Sequence, residues 1–217
     1  MSDIFREVDE EVRREQLKKL WDRWGNYVLA LAVLIVIGIG GWRAWDWWQQ
    51  KKAQEAGATF ESALALAQAG KHDEAAAAFA KLASGEAGGY RILARFREAA
   101  ELALRDRAAA VKVYDLLAAD GGIGRSLQDL AAVRSGLLLV DTASLAEMQQ
   151  RLEPLTQADR PFRHSARELL ALSAWRAGDA KAARHWADMI ITDGETPSGT
   201  RSRIEMLMAL SDTDHKG

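Results

Sequence analysis

The chain has 217 residues, with 29 Lys plus Arg against 31 Asp plus Glu, three prolines, eight tryptophans and no cysteine. The missing thiol excludes thiolate metal sites, cysteine nucleophiles and a lipoprotein-type lipid attachment, and frees the chain from disulfide chemistry in an oxidising compartment. From Gln49 onward the count is 22 basic against 23 acidic residues, a balance that gives no electrostatic reason to bind nucleic acid.

The first segment, "SDIFREVDEEVRREQLKKLWDRW", is rich in Glu, Arg, Lys and Leu without Gly or Pro and is expected to be helical. Its apolar residues form two stripes: Ile4, Phe5, Val8 and Val12 share one face, and Leu17, Leu20, Trp21 and Trp24 lie on nearly the opposite one. Residues 1–23 are therefore expected to be a charged amphipathic tail, its second stripe against a bilayer surface. The first stripe either docks on a partner protein or belongs to a loosely ordered tail.

The run "WGNYVLALAVLIVIGIGGWRAWDWW", residues 24–48, follows. Between Tyr27 and Trp42 there is no charged side chain. At about 1.5 Å per residue, Trp24 to Trp45 covers roughly 33 Å, enough for the ~30 Å hydrocarbon core of a bilayer. Trp21, Trp24, Trp42, Trp45, Trp47 and Trp48 cluster at its two edges, with Arg43 at the second, as interfacial side chains do. A buried core helix rarely carries such girdles. A cleavable signal would need a short basic leader and a small-residue cleavage site, whereas 26 mixed-charge residues come first and bulky "WRAWDWW" closes the run. The segment is expected to be an uncleaved anchor. Arg13, Arg14, Lys18, Lys19 and Arg23 precede it, and Arg43, Lys51 and Lys52 follow, which places the N-terminus on the cytoplasmic side.

Residues 49–211 repeat. Ala75 with Phe79, Ala110 with Tyr114, Ala146 with Gln150 and Ala183 with Ala187 each follow a turn signal, and the alanines are 35, 36 and 37 residues apart. A period near 34 residues with a small residue four before a usually larger one resembles the tetratricopeptide pattern, in which the small residue lets two antiparallel helices approach. Asp73, Asp106, Ser126, Ser144 and Asp179 are expected N-caps, with Asp129 and Glu147 as capping-box partners of the two serines. Pro161 suits the first turn of a helix over "PFRHSARELLALSAW", and Ile204, Leu207 and Met208 share the face of a closing helix. The expected fold is all-α: one N-terminal transmembrane helix, then a tetratricopeptide-like α-solenoid of about four helical hairpins, a C-terminal capping helix, and a disordered tail over 212–217.

Convergent chemistry is missing. His72, His164, His185 and His215 are scattered, without acidic partners at metal-ligand spacing, and "DGGIGRS" lacks both the strand and the lysine of a phosphate loop. The chain reads as a non-enzyme with no cofactor, no metal site and no small-molecule substrate. Partner contacts are expected on the first helix of each hairpin, which makes Arg91, Arg95 and Glu98 candidates.

A charged tail, a tryptophan-flanked anchor ending in "GGWRAW", and the repeats "SALALAQAGKHDEAAAAFAKLA", "AELALRDRAAAVKVYDLLA" and "ELLALSAWRAGDAKAARHWADMI" together resemble the YfgM-type ancillary subunits of the bacterial Sec translocon. Gly41, Trp42 and Arg43, and the Gly178, Asp179, Ala183 step, carry the likeness. It implies a single-pass inner-membrane protein with a periplasmic domain, partnered by the translocon and by a membrane-anchored periplasmic folding factor, acting as a chaperone-linking module. The longer, more charged tail departs from that family. A scaffold for another cell-envelope assembly, a cell-wall or division complex, would use the same fold and anchor.

Overall fold

A computed structural model describes residues 3–85 and 88–214, with side chains described at 18, 21–85 and 88–210. Among the described residues there is no strand. The described residues form nine α-helices in the order α1 Asp3–Gln68, α2 His72–Ser84, α3 Gly89–Leu102, α4 Arg107–Ala118, α5 Arg125–Leu139, α6 Leu145–Leu152, α7 Arg163–Arg176, α8 Ala180–Ile191 and α9 Ser198–Asp214. The side chains of both expected tail stripes up to Leu20, and all of His215, lie outside the described residues. The chain divides into two units, Met1–Gln54 and Glu55–Gly217.

In the first unit the apolar run forms helix because its backbone groups bond within the segment whatever surrounds it. The part of α1 over Trp21–Gln68 is long and apolar enough to cross a membrane, and none of its apolar window is buried within the protein. Trp42 is 77% exposed and Leu34 65%, values that water would not favour for such side chains. Trp45 and Trp48 pack ring to ring with centroids 5.4 Å apart, and the Lys52 ammonium sits 3.8 Å from the Trp48 ring centre.

The second unit is four antiparallel helix pairs and a closing helix. The end of α1 pairs with α2, α3 with α4, α5 with α6 and α7 with α8, and α9 packs on α7 and α8. Two of these hairpins turn on one device. Gly70 and Gly178 take φ of 74° and 75°, the left-handed region that favours glycine. Each ends its helix in a Schellman motif, in which Lys71 N–H donates to the Leu66 carbonyl and Asp179 N–H to the Ala174 carbonyl, both at 3.0 Å. The next helix starts at once.

Caps follow sequence in part. Asp106, Ser144 and Asp179 accept from the N–H groups of Ala109, Glu147 and Ala182 at 2.9, 3.2 and 2.9 Å. Asp73 and Ser126 do not cap: the residues before α2 and α5 are Lys71 and Gly124, so both polar side chains lie one step inside their helices. Asp129 is buried and reaches Arg160 at 3.0 Å rather than a cap. Pro161 stands two residues before α7, not in its first turn. Helix α9 runs to Asp214, past residue 211.

The interior falls into three clusters. Ala56, Ala63, Ala75, Phe79, Leu82 and Ala94 form the first, with Phe60 and Tyr90 packed against them. Ala99, Tyr114, Leu117, Ile123 and Ala131 form the second. The third is the largest, built from the α6–α9 region around Met148, Leu152, Leu170, Ile190 and Ile204. Close approach of α5 and α6 depends on Gly136, where an added Cβ would stand 3.0 Å from a Leu152 methyl.

Candidate protein-binding surface

Two rows of small residues let the helices nest. On the second helix of each hairpin, the position four after the N-cap is Ala75, Ala110, Met148 and Ala183, and the position eight after is Phe79, Tyr114, Leu152 and Ala187, all buried. The expected packing role of Ala146 is therefore corrected. It is exposed, as is Gln150, because the third hairpin is longer: Asp106 to Ser144 is 38 residues, whereas Lys71 to Asp106 and Ser144 to Asp179 are 35. A fixed period slips there onto solvent-facing residues, and Met148 fills the place the alanine holds elsewhere. On the first helix of each hairpin, Ala63, Ala94, Ala131 and Ala166 are all fully buried.

Around those first-helix alanines the outward residues differ. The two central hairpins read Leu93-Ala94-x-x-Arg97 and Leu130-Ala131-x-x-Arg134, 37 positions apart. The outer two read Ser62-Ala63-x-x-Leu66 and Ser165-Ala166-x-x-Leu169. Arg97 and Arg134 are exposed, and among the described residues neither has a hydrogen-bond or ion-pair partner. Both charges nevertheless reach the buried Tyr114 hydroxyl. Burial pushes the ionisation of that phenol up, and Arg134 and Arg97 pull it back.

A groove of about 430 Å³ opens between α5 and α7 and extends to α9. Leu130, Val133, Leu137, Phe162, Leu169 and Leu172 line it together with the charged Arg134, Glu168 and Arg203. Glu168 is already committed, since Arg203 donates to its two oxygens at 2.5 and 2.9 Å. Leu137 is 52% exposed, and Leu93 on α3, Trp175 on α7 and Met206 on α9 are further exposed large apolar side chains.

The candidate partner contacts fare differently. Arg95 donates to Asp120 at 2.8 Å and so ties α3 to the turn after α4. The Asp120 carboxyl titrates below its ordinary range because the Gly122 N–H and then Arg95 bond to it. Arg91 is exposed, and Glu98 is held above the usual carboxylate range by burial, against the pull of Arg95. None of the three lines the groove. Of the histidines, His72 on α2 bonds Glu101 on α3 at 2.7 Å, and His164 on α7 bonds Thr196 in the connection before α9 at 3.1 Å. Among the described residues no group of three or more acidic or histidine side chains gathers at one point.

Residues 18–187 match the family model of the tetratricopeptide repeat-like domain. The chain belongs to that family. No curated protein and no solved structure matches it. Domains of the tetratricopeptide repeat-like kind bind other proteins through the surfaces their stacked helices create, and in this one α9, beyond the matched region, supplies Arg203 to the groove.

In the tetratricopeptide repeat-like domain a polar clamp ties α7, which lines the groove, to its neighbours. Arg167 is 5% exposed and donates to the Thr156 carbonyl through two nitrogens, to the Met189 carbonyl at 3.2 Å and to Asp193 at 2.8 Å. Arg163 also bonds Asp193, at 3.2 Å, and pairs with Glu195. The Glu195 N–H, then Arg167, hold the Asp193 carboxyl far below its ordinary range. A depressed carboxylate stabilises the fold above its unfolded pKa, and that contribution drains away as pH falls through the folded value. The thermal midpoint of the wild-type domain is accordingly expected to drop between about pH 4 and pH 2 more steeply than that of Asp193→Asn, with the two curves converging in acid. Parallel curves followed by circular dichroism would show that Asp193 carries no such coupling.

Proposed function

We propose that the protein is a membrane-tethered protein-binding module without chemistry of its own, an ancillary subunit that links the Sec translocon to periplasmic folding factors. In this reading residues 1–23 are a cytoplasmic tail and 24–48 span the inner membrane with Trp21, Trp24, Trp42, Arg43, Trp45, Trp47 and Trp48 at its interfaces. Residues 49–211 act in the periplasm. The observation that carries it is the direct succession of an apolar helix able to cross a membrane and a repeat domain whose first helices leave an open apolar groove. The excess of basic residues before the apolar run supports the orientation.

A groove of this size binds extended segments weakly, because ordering the partner offsets much of the contact energy. Tethering compensates. A site held beside emerging clients sees them at an effective concentration approaching millimolar. Photo-cross-linking from Leu137 of the full-length protein in native membranes is expected to capture translocon subunits and a membrane-anchored folding factor. Capture of cell-wall or division proteins in their place would make the protein a scaffold of another envelope assembly.

A further inference from the structure

We infer that the central pair of hairpins is a dibasic reading site for a partner segment that carries carboxylates beside bulky apolar side chains, with Arg97 and Arg134 receiving the carboxylates and the α5–α7 groove receiving the apolar groups. This deepens the binding-module reading and rests on it.

The repeat itself selects these residues. All four hairpins keep the fully buried alanine of their first helix, yet only the two central ones place Leu one residue before it and Arg three residues after it. Leu93 and Arg97 are four apart on α3, and Leu130 and Arg134 are four apart on α5, so each pair lies on one face of its helix. Both alanines belong to clusters that α3 shares with its neighbours, and Ala131, Phe96 and Tyr114 meet in the second of these. The two arginines thus stand on successive first helices, one beside an alanine of the first cluster and one beside an alanine of the second.

Charge complementarity chooses the occupant. Every other charged group on the groove is spent: Glu168 and Arg203 satisfy each other in a two-bond pair. Arg95, two residues before the repeated arginine, is spent on Asp120. Arg134 on the groove and Arg97 on the preceding first helix remain, among the described residues two guanidinium groups without a carboxylate, Arg97 beside the exposed Leu93 and Arg134 beside the groove-lining Leu130. A guanidinium receives a carboxylate through parallel N–H donors, a geometry that ammonium or neutral partners cannot reproduce. A basic or uncharged apolar segment would fill the groove and leave both cations unanswered.

The test uses the full-length protein in zwitterionic nanodiscs and a fluorescein-labelled peptide of about twelve residues alternating Leu or Phe with Glu. Its counterpart has Lys at each Glu. Fluorescence anisotropy is expected to show saturable, salt-sensitive binding of the acidic peptide alone, weakened about tenfold or more by Arg134→Glu and by Arg97→Glu. Leu137→Gln should weaken it at unchanged salt sensitivity, and Lys181→Glu on α8 should not alter it. Circular dichroism verifies that the variants stay folded, and Arg134→Gln replaces any that does not. Equal binding of the Lys peptide, unchanged affinity in both arginine variants, or no acidic-peptide binding up to millimolar would each overturn the inference. So would arginine-dependent capture of phosphatidylglycerol vesicles in preference to the peptide. If membrane cross-links to protein partners persist in the double arginine variant, the dibasic site fails while the binding-module function stands. Loss of every cross-link from the wild type removes the function itself.

Discussion

Phe79→Ala is expected to lower the unfolding free energy of the repeat domain by about 3–5 kcal/mol. Phe79 is fully buried on α2, its ring 5.3 Å from that of Phe60 on α1, and Phe60 in turn lies 5.6 Å from Tyr90 on α3. The other fully buried members of that cluster are alanines, Ala63, Ala75 and Ala94, which cannot swing inward to fill the space. The cavity therefore persists, and the cost belongs at the upper part of the range. Urea titration of the full-length protein in micelles, followed by circular dichroism, measures it. A loss below about 1 kcal/mol would mean that α1 and α2 collapse onto each other more freely than their packing allows.

The second large effect concerns the apolar helix. Leu34 lies in mid-run, 65% exposed, with no charged side chain between Tyr27 and Trp42. Leu34→Arg is expected to weaken membrane insertion by roughly 3 kcal/mol. Because the tryptophans flank the run and do not occupy its middle, nothing near position 34 offers the guanidinium a polar partner. Carbonate washing of isolated membranes should release a large part of the variant and retain the wild type. Full retention at unchanged yield would count against a single span through Leu34.

What could be read before the fold was known follows from which forces are local. The apolar run was legible because a bilayer imposes composition residue by residue. The hairpins were legible because Ala75 with Phe79 and Ala110 with Tyr114 repeat a spacing set by helix geometry. Ala146 was misplaced by the same reasoning, since three extra residues in the third hairpin shift the period without altering its chemistry. Caps at Asp106, Ser144 and Asp179 are local bonds and were readable, but Gly124 and Lys71 displaced Ser126 and Asp73 through backbone turns that composition does not encode. Arg167 looked like any solvated helix charge. Its partners Thr156, Met189 and Asp193 are 11 to 26 residues away, so its burial is a tertiary fact. The groove was missed for another reason: Leu93-Ala94-x-x-Arg97 and Leu130-Ala131-x-x-Arg134 repeat on the first helices, whereas the spacing that was followed runs along the second.

The division of the interior into three clusters also sets how the domain yields under load. Each cluster is shared only by neighbouring helices, so rupture of one does not commit the next, and the chain behaves as a series of springs of unequal stiffness. The cluster of α1, α2 and α3 is smaller than that of α6 to α9, to which the Arg167 clamp is added. Tension on a segment held at α5 and α7 is therefore expected to open the smaller cluster first and leave the grip intact.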